Sequence, residues 1–206
     1  MIIYIIIIVT SLFSFLALQD RDIMNRFIMY PYAVKHRNEW WRFITSGFLH
    51  ADFTHLFFNM FVLYAFGNHL LGFFENMFGG LAIYYFLVMY IGAIIISDLS
   101  SYIKWHNSPS YRSLGASGAV SAVLFSFILF KPLDKLMVMF VLPLPGIVWG
   151  IIYLSYSWFM AKKGGDRINH DAHFYGALFG FLFPILLKPE LFTNFIDQIK
   201  FFLNTF

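Results

Sequence analysis

The sequence predicts an all-α membrane protein, a bundle of six spanning helices with a long first loop lying at the membrane interface. Three observations predict it. The chain is 60% hydrophobic and 12% charged, against roughly 45–50% and about 25% in soluble domains. Six uncharged apolar runs fall at about 1–19, 53–74, 76–97, 113–130, 136–161 and 172–187, each near the roughly 20 residues that cross the hydrocarbon core as a helix. With 206 residues, spans and short loops use up the chain, so residues 1–206 read as a single membrane domain with its core at about 39–187.

The first run starts at Met1 with no basic leader and stops at Gln19-Asp20 without a small-residue cleavage site, which predicts a retained helix rather than a signal peptide. Residues 20–52 are too long for a tight turn and mix charges with Tyr30, Pro31, Tyr32, Trp40 and Trp41. Such aromatics suit a folded interfacial loop. The third run ends at Asp98, the fourth at Lys131-Pro132, and the sixth is broken by Pro184 and closed by Lys188-Pro189. Residues 191–206 carry apolar side chains at helical spacing around Asn194, Asp197 and Lys200, the pattern of an amphipathic surface helix.

The net charge of +3 is spread through the loops, which argues against a nucleic-acid partner. The absence of cysteine removes disulfides, thiolate nucleophiles and Cys-ligated metals.

Polar residues inside spans are costly unless paired or solvated in a cavity. In an up-and-down bundle the second, fourth and sixth spans run parallel. His55 and Asn59 then lie early in the second, Ser117 early in the fourth and His173 at the start of the sixth, all about 3–10 Å below one membrane surface. That layer holds a potential nucleophile, a potential base and two hydrogen-bond donors, an inventory suited to acyl transfer. Ser117 stands within Gly115-Ala116-Ser117-Gly118, and His173 is followed by Gly176 and Gly180, a small-residue face for close helix packing. Each feature also has a plainer reading. The glycine-serine string can be a packing motif, His55 and Asn59 an interhelical polar pair, and His173 an interfacial residue.

The motifs, taken in order, resemble the rhomboid family of intramembrane serine proteases from about Glu39 to Pro184. Trp41-Arg42 followed by His55 and Asn59 is similar to the family's loop motif and His-xxx-Asn helix. Gly72, Glu75 and Gly79 resemble its Gly-xx-Glu-xxx-Gly turn, Gly115–Gly118 its nucleophile motif, and Ala172-His173 with Gly176 and Gly180 its Ala-His-xx-Gly-xxx-Gly helix. The resemblance implies a catalytic dyad of Ser117 as nucleophile and His173 as general base. It implies an oxyanion hole from the Ser117 N–H with His55 and Asn59. Glu39, Arg42 and Glu75 would be structural, and the substrates would be transmembrane segments of membrane proteins, arriving past a gate that includes Trp149, Trp158 and Phe159. No cofactor or metal is implied. Family members often carry an aromatic residue four positions after the nucleophile, packed on the histidine, where this chain has Ser121. Tyr175 or another neighbouring aromatic is expected in its place. Asp171 or Asn169 is expected to cap the last span, with His170 facing the aqueous mouth.

Two rival functions are weighed. A histidine-ligated metal or haem protein would use His50, His55, His170 and His173, but the chain has no His-Glu-xx-His pair and only three glutamates, Glu39, Glu75 and Glu190. A rhomboid-like protein that binds membrane helices without cutting them would not need both Ser117 and His173. Gly164-Gly165-Asp166 is similar to the glycine-aspartate motif of intramembrane aspartyl proteases but lies in a charged loop. For orientation, Arg21, Arg26, Lys35, Arg37, Arg42, Lys104, Arg112, Lys162, Lys163 and Arg167 fall on the active-site side, against Lys131, Lys135, Lys188 and Lys200 opposite. A bare count would make the active-site side cytoplasmic. The family resemblance implies the reverse, and it is preferred because five of those residues belong to the folded first loop, whereas Lys131 and Lys135 sit in a very short one.

Overall fold

The computed structural model describes residues 1–138, 142–166 and 168–204; Arg167 of the orientation count lies outside them. A chain in lipid must satisfy its own backbone N–H and C=O groups, which helices do within one segment. Helix α1 (Ile2–Gln19) shows the resulting pattern. Ile3, Ile6, Thr10, Ser14 and Ala17 are buried at helical spacing, while Ile5, Ile8, Val9, Leu12, Phe15 and Leu16 face outward. Large apolar residues on the outside, with the small and polar Thr10, Ser14 and Ala17 turned inward beside Ile3 and Ile6, suit a lipid-facing helix.

Residues 20–52 form short helices α2 (Arg21–Phe27), α3 (Pro31–Arg37) and α4 (Arg42–Thr45) and a 3₁₀ turn, Ser46–Phe48. Asn38 ends α3 in the left-handed conformation, φ 58°. The buried Arg42 is fully partnered: its guanidinium donates to Glu39 Oε2 at 2.5 Å and to the carbonyls of Asn25 at 3.0 Å and Ile28 at 2.6 Å. Thr45 Oγ1 adds a bond to the Phe27 carbonyl at 2.8 Å. Glu39 and Arg42 thus bind α2, α3 and α4 into one unit.

Helix α5 (Phe53–Phe78) is capped by Asp52, which accepts from His55 N–H at 2.7 Å. The chain reverses at Gly79, φ 54°, and α6 (Ala82–Trp105) brings its far end back to the start of α5. There Ser46 Oγ donates to the buried Asp98 at 2.6 Å. Helix α7 (Ser117–Phe130) is buried on nearly every side, as an all-round apolar helix should be. It starts at Ser117 rather than near residue 113 because Ser113 pairs with Met29 and Gly115 takes φ 128°.

The fifth apolar run differs from expectation. Its first part is an antiparallel hairpin, β1 (Lys135–Val138) with β2 (Leu142–Pro145), in register Lys135 to Pro145 and Val138 to Leu142. Only Gly146–Lys163 is helical, α8. Pro143 and Pro145 are the reason, since each would break a helix by its missing N–H and its clash with the preceding turn. The all-α expectation is amended by this hairpin. Helices α9 (His170–Leu187) and α10 (Glu190–Leu203) follow, bent by 113° at Lys188-Pro189.

By length and apolarity alone, Ile2–Gln19 and the Phe53–Trp105 stretch with its reversal suffice to cross a membrane, and α9 does so only jointly with α10. Helix α7 has 14 residues, about 21 Å of rise against a core of about 30 Å. Six crossings therefore do not follow from helix length.

Helices α7 and α9 make the closest approach. A methyl group on Gly176 would run into the Gly118 backbone, and one on Gly180 into that of Ala122. Ser126 Oγ also donates to the Gly180 carbonyl at 2.5 Å. Gly180→Ala is expected to cost about 1–3 kcal/mol through overpacking. Gly72→Ala, where an added methyl meets open space, should hold or gain stability, about 1 kcal/mol by helix propensity. Thermal unfolding in detergent compares them, and equal midpoints would contradict the packing described.

Candidate active site

The turn before α7 is fixed by the first loop. Gly115 N–H donates to the Ser46 carbonyl at 3.1 Å, and Ala116 N–H donates to His50 Nε2 at 3.4 Å. His50 is fully buried, and Ser14 Oγ lies 2.8 Å from its Nδ1 while donating to the Phe48 carbonyl at 2.8 Å. These bonds set the tautomer: Nδ1 carries the proton and gives it to Ser14, and the bare Nε2 receives Ala116. Burial holds the His50 pKa down at about 3, with the nearby His55 ring acting in the same direction and Asp52 against it. His50 is thus a neutral strut beneath the Ser117 turn, with both nitrogens in use.

Ser117 is the first residue of α7 and is partly exposed. The first N–H groups of a helix lack intrahelical partners, and among the described residues no side chain accepts from Ser117 N–H. His55 reaches the same spot from α5. A methyl on Gly115 would stand 2.8 Å from His55 Cε1, 3.1 Å from His55 Nε2 and 3.7 Å from Ser117 Oγ. The glycine leaves room for the imidazole edge and the hydroxyl to face one space. Asn59, buried one turn along α5, donates one amide hydrogen to the His55 carbonyl at 2.9 Å, and its second has no partner among the described residues.

His173 is the fourth residue of α9, whose start is tightly held. Asn169 caps it by accepting from Ala172 N–H at 3.2 Å, and its amide donates to Ser101 Oγ at 2.7 Å. Asp171 does not cap; it pairs with Lys104 at 2.5 Å. The seam at Gly118 and Gly176 sets Ser117 and His173 at the same end of one helix pair, each next to a contact residue: a methyl on Gly118 would lie 3.4 Å from the Ala172 carbonyl. No hydrogen bond joins Ser117 to His173 among the described residues. Catalytic hydrogen bonds are often long before substrate binds.

One expectation needs correction, and another is narrowed from Tyr175 to a different aromatic. His170 does not face an aqueous mouth; it is 4% exposed, its Nε2 lies 2.9 Å from Asp166 Oδ2, and it meets His173 edge-on at 5.9 Å. The rings of Tyr156 and His173 cover it, and its bond to the exposed Asp166 accounts for the aspartate of the Gly164-Gly165-Asp166 string. Tyr175 is exposed and packs on Phe174. The aromatic beside His173 is Tyr153 of α8, its ring 6.1 Å away and 21° from parallel. Among the described residues no three His, Cys, Asp or Glu side chains converge as a metal-ligand group.

Residues 37–190 match the family profile described as Rhomboid domain, a range that includes His55, Asn59, Ser117 and His173. The chain belongs to the rhomboid family. It is an integral membrane protein. It is 35% identical over 150 residues to the Bacillus subtilis (strain 168) protein named "Putative rhomboid protease YdcA", covering 72% of this chain and 67% of that one. It is 32% identical to Rhomboid protein 1, mitochondrial, of Saccharomyces cerevisiae, over 68% of this chain and 40% of the yeast protein. It is 30% identical to RHOMBOID-like protein 12, mitochondrial, of Arabidopsis thaliana, over 65% of this chain and 42% of the plant protein. This rhomboid chain spans about two thirds of the bacterial relative and about two fifths of the two mitochondrial ones.

The neutral His50 strut has a pH consequence. Between about 3, its folded pKa, and 6.5, its unfolded pKa, the unfolded chain binds a proton that the fold refuses. Stability from this group is therefore full above pH 6.5 and falls as pH is lowered toward 3. Thermal midpoints taken across that range should decline toward acid, and His50→Gln should flatten the decline; an unchanged slope in the variant would contradict the assignment.

Proposed function

We propose that this rhomboid is an intramembrane serine endopeptidase that cuts transmembrane segments of membrane proteins. Ser117 Oγ attacks the scissile carbonyl carbon as His173 takes its proton. The tetrahedral oxyanion accepts from Ser117 N–H and from the side chains of His55 and Asn59. Collapse breaks the C–N bond, with His173 returning the proton to the leaving amine, and water then cleaves the acyl-enzyme with His173 again as base. The observation that carries the reading is the cradle at Gly115, where the Ser117 hydroxyl and the His55 imidazole edge border a single space at the start of a helix. Asn59, one turn further along α5, is assigned as a third donor by this reading.

The six-crossing bundle belongs to this proposal, with α7, α8 and α9 each spanning the bilayer in the shelter of their neighbours. So does a gate at α8, where Trp158 and Phe159 point outward. The lack of a Ser117–His173 hydrogen bond among the described residues favours a second reading, a rhomboid that binds membrane helices without cutting them.

Cleavage of a reporter transmembrane protein in liposomes separates the two. Ser117→Ala and His173→Ala should each abolish product while the protein stays folded, and the double variant should be no worse than either. His55→Ala and Asn59→Ala should lower kcat by about 10²–10³ with little change in KM. Near-normal turnover by Ser117→Ala would reject the protease reading, and binding of the reporter without product from wild type would establish the second.

For orientation we propose that the active-site end faces away from the cytoplasm, in the cell membrane. Ser108, before α7, and Asp134, after it, lie at opposite ends of that helix. In the cysteine-free chain, Ser108→Cys should react with an impermeant thiol reagent on intact cells and Asp134→Cys only after lysis. The opposite pattern would reverse the orientation.

A further inference from the structure

Resting on the proposal that His173 is the base, we infer that Tyr153 of α8 is the residue that positions the His173 ring, and that Ser121 of α7 holds Tyr153 in place. The Tyr153 ring lies 6.1 Å from the His173 ring at an interplanar angle of 21°, a near-parallel offset stack. Its hydroxyl is 2.5 Å from Ser121 Oγ. Ser121 is one helical turn beyond Ser117 on α7, so nucleophile and base support are joined through a single turn of helix and one hydrogen bond. A tyrosine inside a bundle needs a partner for its hydroxyl, and the short serine at 121 both supplies it and leaves the volume that the tyrosine ring fills. An aromatic side chain at 121 would occupy that volume itself. Among the described residues the His173 imidazole has no hydrogen bond, so ring contacts orient it: Tyr153 on its face and the edge of His170 at 5.9 Å.

The arrangement places the support of the base on a different helix from both the nucleophile and the base. Phe125 of α7 flanks Tyr153 at 5.6 Å. Outward, α8 turns Ile151, Ile152, Tyr156, Trp158 and Phe159. A displacement of α8 would thus slide Tyr153 off His173, linking the position of this outer helix to the readiness of the dyad.

The test compares Tyr153→Leu, Tyr153→Phe, Ser121→Ala and Phe125→Leu for three properties: the rate of Ser117 labelling by a fluorophosphonate, kcat and KM on the reporter, and thermal stability. A misplaced catalytic group costs up to about 10²-fold. Tyr153→Leu should accordingly slow labelling and lower kcat about 10- to 100-fold with KM within about twofold. Tyr153→Phe, which keeps the stack, should retain most activity, and combining it with Ser121→Ala should add nothing, since both remove the same bond. Phe125→Leu loosens the same seam without touching His173 and should lower the unfolding temperature while sparing kcat.

Wild-type kcat and labelling in Tyr153→Leu would overturn the inference, as would an equal loss of kcat in Phe125→Leu. Should Tyr153→Leu fail to fold, the milder pair decides: matching small losses that do not add support the inference, and no loss in either overturns it. If the wild type does not label, or labels equally without Ser117, the catalytic reading itself fails and takes this inference with it. Ser117-dependent labelling unaffected by Tyr153→Leu rejects the inference alone.

Discussion

The contact on which the structure depends is the backbone-to-backbone approach of α7 and α9. Hydrophobic burial cannot drive helices together in lipid, because the surrounding tails are as apolar as leucine. Close packing and buried hydrogen bonds must do it. Gly118 and Ala122 on one helix face Gly176 and Gly180 on the other, with the Ser126 hydroxyl bonded to the Gly180 carbonyl. A single added methyl at either α9 glycine would separate the pair. Ser117 and His173 each adjoin a residue of this seam, so their mutual distance is set by the packing rather than by their own side chains.

A second constraint comes from the first loop, which acts as a brace on the α7 turn. Arg42 and Glu39 gather its short helices, Ser46 ties it to Asp98 of α6, and His50 reaches from a Ser14 contact on α1 to Ala116. The imidazole does this only as a neutral ring in one tautomer. The turn can then be stretched at Gly115, φ 128°, leaving the Ser117 N–H unspent and a gap that the His55 edge enters. Arg42, Ser46 and His50, all buried here, are each hydrogen-bonded, as buried polar groups generally are.

Much of this was legible in the sequence. Glycines four apart beside a histidine predict a close helix contact, and Gly176 and Gly180 do meet the α7 backbone as that spacing requires. The hairpin at 135–145 was missed because hydropathy weighs side chains and ignores the missing N–H of Pro143 and Pro145. His170 was misplaced because its partner, Asp166, lies outside the helix, so the pair is invisible to helical periodicity. Tyr153 gave no local signal, since an apolar run with one tyrosine looks like any other span. The tell was on another helix, where Ser121 is too small for its place and leaves both a volume and a hydrogen bond to be filled.

The central claim is that Ser117 is a nucleophile activated by its surroundings, not a packing residue in a glycine-rich helix. Peptide mapping by mass spectrometry after fluorophosphonate treatment of the detergent-purified protein tests it most directly. The account predicts one phosphonyl adduct, on the peptide containing Ser117, formed slowly or not at all in His173→Ala. An unmodified Ser117 peptide, or an adduct formed as fast without His173, would contradict it.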